Sequence, residues 1–255
     1  MQWLIPVVTG LLAVWQWTHE RDLDRQRERK RVMALYVNPF LSACEDLQSR
    51  IYNILILDGL VTLRKRYPDG KYAEETLYLI VRFFGWLSVA LRYGPYTQDS
   101  FVIHHCEAVR NAFATSDFPI GPFAFFRPEQ KELGKIVMTR FKGQYGIELD
   151  TVPWHEFMER LEKTPLAYSQ SVQQSIQALR EAQGVESLLG RDRLCAVQNH
   201  LIDLLSYIEK KEGFSLFSGR RKKCVTARKR VQEGESQGNS LAQQAPAERK
   251  RAIIS

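Results

Sequence analysis

Four consecutive residues, His104, His105, Cys106 and Glu107, form the densest run of potential metal ligands and proton-transfer groups in this 255-residue chain. Neighbouring residues on a helix point about 100° apart, so the four cannot converge on one ion. Partners would have to come from elsewhere, such as His155 with Glu156, or His200. The pair His155 and Glu156 lacks the second histidine that a zinc protease helix carries three residues after the acid, where this chain has Glu159. Cys106 falls on an apolar stripe and reads as a buried thiol, with His105 bordering the same stripe as a packing residue.

Other chemistry is sparse. No P-loop, dinucleotide-type glycine fingerprint, G-x-S-x-G elbow or kinase signature occurs, so a nucleotide enzyme or an α/β hydrolase would have to be atypical. Cysteines at 44, 106, 195 and 224 include no C-x-x-C pair, which argues against a zinc ribbon or thioredoxin-type site and fits reduced thiols. Glu74 with Glu75, and Glu45 with Asp46, read as solvated helix faces. No catalytic, cofactor or metal residue is assigned. An enzyme, if this were one, would have a pocket near residues 119 to 128, served by His104 or His105.

The charge is concentrated at one end. Lys plus Arg number 36 against 29 Asp plus Glu, but residues 211 to 255 alone hold 11 basic and 4 acidic side chains, a net of +7. Arg220, Arg221, Lys222, Lys223, Arg228, Lys229 and Arg230 lie within eleven residues. Anionic lipid is the favoured partner for them, because basic residues near such a surface gain on the order of 1 kcal/mol each. Nucleic acid is not favoured, since no interleaved aromatic platform or binding motif accompanies the cluster.

The opposite end explains the preference for lipid. Met1 to Trp17 contains no charged residue, and Trp3, Trp15 and Trp17 suit a headgroup boundary. As a helix this stretch is ~25 Å long, slightly under the ~30 Å hydrocarbon core, and so predicts a short single-pass anchor. Bulky Trp15 and Trp17 stand where signal cleavage needs small residues. Arginines 21, 25, 27, 29 and 31 follow with Lys30, which places the bulk of the chain in the cytoplasm.

Between these ends the pattern is mainly helical. Residues 18 to 32 read as a charged stalk and 33 to 212 as a multi-helix body with at most a small hairpin. Asn38 and Pro39 start a helix whose apolar residues Phe40, Cys44, Leu47, Ile51 and Leu55 recur at helical spacing and which ends near Asp58 and Gly59. The run Leu77 to Leu91 marks a core helix, and Asp99 is the candidate cap for Ser100 to Ala114. Pro119, Gly121, Pro122 and Pro128 break an aromatic loop, and Phe141, Tyr145, Ile147 and Leu149 alternate around a hairpin at Gly143. Helices follow from Trp154, from Ser169 and across Leu194 to Ile208. Residues 213 to 255 read as a basic, disordered tail.

The segments VNPFLSACEDLQSRIYNIL (37 to 55), YPDGKYAEETLYLIVRFFGW (67 to 86), LRYGPYTQD (91 to 99) and PIGPFAFFRPEQKELG (119 to 134) resemble an uncharacterised bacterial family, seen in cyanobacteria, with a short N-terminal anchor. The resemblance spans residues 33 to 165. It implies a membrane-attached cytoplasmic protein and carries no catalytic residues. The sequence therefore predicts a membrane-tethered interaction or scaffold module with an unknown protein partner.

Overall fold

The computed structural model describes residues 4–57, 59–213 and 221–224, with side chains described from Trp15 onward. The chain is mainly helical, with one two-stranded antiparallel hairpin. Helix α1 (Leu4–Val32) passes through a π turn (Met33–Val37) into α2 (Asn38–Leu55), followed by α3 (Gly59–Arg66), α4 (Lys71–Tyr93) and α5 (Ser100–Ala114). Then come α6 (Arg127–Val137), β1 (Met138–Gly143), β2 (Gly146–Thr151), α7 (Trp154–Glu162), α8 (Gln170–Glu181) and α9 (Arg191–Glu212).

Helix α4 is the axis of the body. It buries residues on nearly every side, from Tyr72 through Phe83, Phe84 and Trp86 to Ala90, as a helix apolar all round must. Helices α2, α6 and α8 pack around it, while α9 packs on α5 and α2. Arg82, which interrupts the apolar run, sends its guanidinium to Asp46 on α2. Phe84, Phe113 and Phe125 meet edge-on with ring centroids 5.1 to 6.1 Å apart, which fixes the crossing of α4, α5 and the aromatic loop.

That loop is core. Phe123 and Phe125 are fully buried, and Phe123 adopts φ 63°, a left-handed backbone that costs a bulky residue ~1–3 kcal/mol. Its N–H donates to Ser175 Oγ at 2.7 Å, and Gly190 leaves room for it: a Cβ there would lie 2.8 Å from the Phe123 ring. The start of the same loop is tied down by Arg193, whose side chain is wholly buried. Its guanidinium donates to the carbonyls of Ala112 (2.9 Å), Phe113 (2.8 Å), Thr115 (3.1 Å), Phe118 (3.3 Å) and Pro119 (3.3 Å). It thereby neutralises the C-terminal end of α5, where unpaired carbonyls and the helix dipole favour a cation. Asp99 caps the other end, accepting from the Phe101 and Val102 amides.

Several expectations change. Gly59 opens α3 rather than closing α2: a Cβ on it would lie 2.7 Å from the Asn53 carbonyl oxygen, so glycine serves a close chain approach. The hairpin alternation does not mark a buried face. Phe141, Tyr145 and Ile147 are exposed, and only Leu149 of the four packs against the core. Among the described residues no helix is long and apolar enough to cross a membrane. The uncharged part of α1 that is described, Leu4 to Trp17, is only about 21 Å long. Trp3 lies outside the described residues, and α1 continues without a break from this stretch through the charged residues to Val32. Every residue from Trp15 to Arg31 is exposed.

The basic tail also differs where it is described. Arg221 is pinned between Glu45 on α2 (2.7 Å) and Glu209 on α9 (2.8 Å), with 7% of its side chain exposed. Lys222 accepts from Gln198 through its carbonyl, and Cys224 exchanges two backbone hydrogen bonds with the Asn199 amide group. Residues 221–224 are thus a strap along α9, because their backbone groups find side-chain partners on that helix. Arg220, Arg228, Lys229, Arg230 and the rest of the expected disordered tail lie outside the described residues.

Candidate functional site

The strongest candidate is a groove of about 910 Å³ between the C-terminal half of α4, α6, Arg110 of α5 and the hairpin. Two glycines set its geometry. A Cβ on Gly134 would lie 3.1 Å from the Gly85 amide nitrogen, and one on Gly85 would lie 2.8 Å from Met138 Sδ. Helix α6 therefore rides directly on the α4 backbone, and the groove lies alongside this contact.

The hairpin wall is fixed at its base. The Val152 amide donates to the Val137 carbonyl (2.9 Å), Tyr78 donates to the Val152 carbonyl (2.8 Å), and Arg160 bonds the carbonyls of Ile136 and Met138. In the antiparallel register Arg140 sits opposite Leu149, so the two side chains share a face. Both line the groove. The hairpin tip is held separately: Arg31 of α1 donates to the Tyr145 carbonyl and lies 5.7 Å from that ring's centroid. Tyr93 lines the groove and stacks on Tyr36, in the turn that follows α1, so the groove opens at the end of the body from which α1 departs.

Val89, Leu91, Met138 and Leu149 give the groove its apolar surface; Arg92, Arg110, Lys131, Lys135 and Arg140 supply five cations, and no carboxylate lines it. Arg110 is oriented from behind. It pairs with Glu107 at 2.9 Å, and Gln130, itself buried, holds the Arg110 carbonyl at 3.0 Å. Burial opposes the Glu107 charge, but the hydrogen bond from Arg127 and the Arg110 charge outweigh it and hold the carboxyl below its ordinary range. Lys135 pairs with Glu132 at 2.7 Å. Arg92, Lys131 and Arg140 make no ion pair among the described residues. No motif marks these cations, because they come from α4, α5, α6 and β1; the interior glycines Gly85 and Gly134 are the only local signal.

The histidines lie elsewhere. His104 and His105 stand on α5 beside α9, where His105 lies 6.3 Å from the Tyr207 ring and 5.7 Å from His104. His200 faces them. Burial first, then the neighbouring His105, lowers its pKa against the opposing pull of Asp203. Among the described residues no group of three His, Cys, Asp or Glu is arranged to hold a metal. The expected pocket at 119 to 128 is a hollow of about 420 Å³ walled by Pro119, Ile120, Pro122, Gln174, Glu181 and Leu189, among other residues, and neither His104 nor His105 lines it. Of its aromatics, Phe123 and Phe125 have turned inward as core, while Phe126 is exposed.

No family model, curated protein or solved structure matches the chain.

Proposed function

We propose that this chain is a membrane-tethered, non-enzymatic interaction module that carries its helical body on α1 and presents the groove to a partner. The composition of the groove wall carries this reading. Its three side-chain hydroxyls, Ser88, Tyr93 and Thr139, have no histidine or carboxylate lining the groove beside them to act as a base, and Ser88 donates to the Phe84 carbonyl. Such a wall is equipped to bind rather than to transform.

Attachment rests on α1. Trp15 and Trp17 are 65% and 57% exposed at the end of an uncharged stretch, and Arg21 lies over the Trp17 ring at 4.6 Å, an arrangement suited to a headgroup boundary. The stretch before them would enter the bilayer as a short anchor, with the arginine-rich remainder and the body on the cytoplasmic side. The resemblance of residues 33 to 165 to an anchored bacterial family supports the same reading.

Flotation tests it. Full-length protein mixed with phosphatidylcholine vesicles should float with them through high salt and alkaline washing, and removal of residues 1 to 17 should leave it at the bottom of the gradient. Release of the full-length chain by salt alone would overturn the tether.

A further inference from the structure

We propose that the groove is a binding site for an anionic amphiphile, a single-chain alkyl phosphate or its lipid equivalent. The proposal deepens the reading of the groove as the presented surface. It does not depend on how α1 meets the membrane.

Three observations identify the ligand class. The first is charge: five cations face one opening, and Arg92, Lys131 and Arg140 have no ion-pair partner among the described residues. Exposed like charges crowded on one wall repel each other, and an anion relieves that repulsion. A phosphate, carrying up to two charges and three acceptor oxygens, meets several cations at once, and guanidinium forks such as those of Arg92 and Arg140 bind it bidentately.

The second is the apolar surface beneath those charges. Val89, Met138 and Leu149 offer burial to a hydrocarbon chain, which a free oxyanion would leave unused. At about 910 Å³ the groove lies within the range of small-molecule sites. The third is the exclusion of an internal occupant. Residues 225 to 255, the one long segment beyond the described structure, hold six basic and three acidic side chains, so the groove would repel rather than recruit them.

The experiment is lysine footprinting on the full-length protein. Acetylation of each lysine is read by mass spectrometry while octyl phosphate, inorganic phosphate, octyl glucoside or a polyglutamate peptide is titrated. Octyl phosphate is expected to shield Lys131 and Lys135 at a concentration at least tenfold below that needed with inorganic phosphate. Lys223, exposed on the α9 strap, should stay reactive, and octyl glucoside should shield neither groove lysine. Replacing Arg92→Gln and Arg140→Gln together should raise the half-protection concentration of octyl phosphate at least tenfold, with Arg140→Lys, which keeps the charge but loses the fork, falling between that variant and the parent. Both arginines are exposed, and an unchanged melting curve confirms that the double variant is folded.

Equal potency of inorganic phosphate would overturn the amphiphile in favour of a plain oxyanion site. Shielding by octyl glucoside would overturn the role of charge, and stronger shielding by polyglutamate would replace the lipid-like ligand with an acidic protein. No protection by any probe would reject the site in the wild-type chain itself, without recourse to variants. Flotation reads the tether separately, so either result can fail alone.

Discussion

Replacing Arg193→Met removes the guanidinium that closes α5 while keeping an unbranched apolar stem of similar length. Five carbonyls lose a donor. Those of Thr115, Phe118 and Pro119 belong to partly or fully exposed residues and regain water; those of Ala112 and Phe113 are buried with no replacement. Each buried acceptor left unsatisfied costs ~1–3 kcal/mol, so the loss is ~2–6 kcal/mol before compensation. Burial already lowers the Arg193 pKa, and removing the charge relieves that desolvation, which leaves a net loss of ~2–4 kcal/mol. For a chain of this size each kcal/mol shifts the midpoint ~2–4 °C, so thermal unfolding followed by circular dichroism should fall by about 4–16 °C. Arg193→Lys keeps the charge near the α5 terminus but cannot reach five carbonyls, and should fall between the two. A methionine variant melting within about 1 °C of the parent would refute the reasoning, and so would a lysine variant no better than methionine.

Gly134→Ala places a Cβ 3.1 Å from the α4 backbone at Gly85 and should destabilise by ~1–3 kcal/mol in urea titration; a neutral result would mean that α6 can lift off without loss. The cysteines should divide three to one under alkylation of the native protein at neutral pH. Burial raises the Cys44 thiol, Cys106 is pushed up to about 12, and Cys195 is raised by its hydrogen bond to Cys224, whose own pKa that bond lowers. One label per chain, at Cys224, is the expected mass; labelling of Cys44 at a comparable rate would contradict the packing.

What the sequence showed clearly was local and periodic. Asp99 before an apolar stripe marks the α5 cap, Gly213 takes φ 72° just past α9, and the nearly continuous apolar run of α4 identifies its axis. Other features depend on distant partners. Arg193 opens an amphipathic helix and resembles any solvated arginine until α5 ends against it. The aromatic loop resembles a pocket wall until Gly190 admits Phe123 to the core. The groove cations lie on separate elements and have no spacing to recognise.

The strap along α9 fixes where the two ends of the chain leave the body. Arg29 of α1 pairs with Glu212, at the last residue of α9, whereas Cys224 hydrogen-bonds with Asn199, in its third turn. These points are separated by thirteen residues of helix, ~20 Å along its axis. Helix α9 is therefore a spacer with fixed polarity: whatever α1 holds and whatever residues 225 to 255 reach for are kept apart by a rigid length. The described chain ends at Cys224, so a tail bound to the same bilayer as α1 would have to double back over that distance.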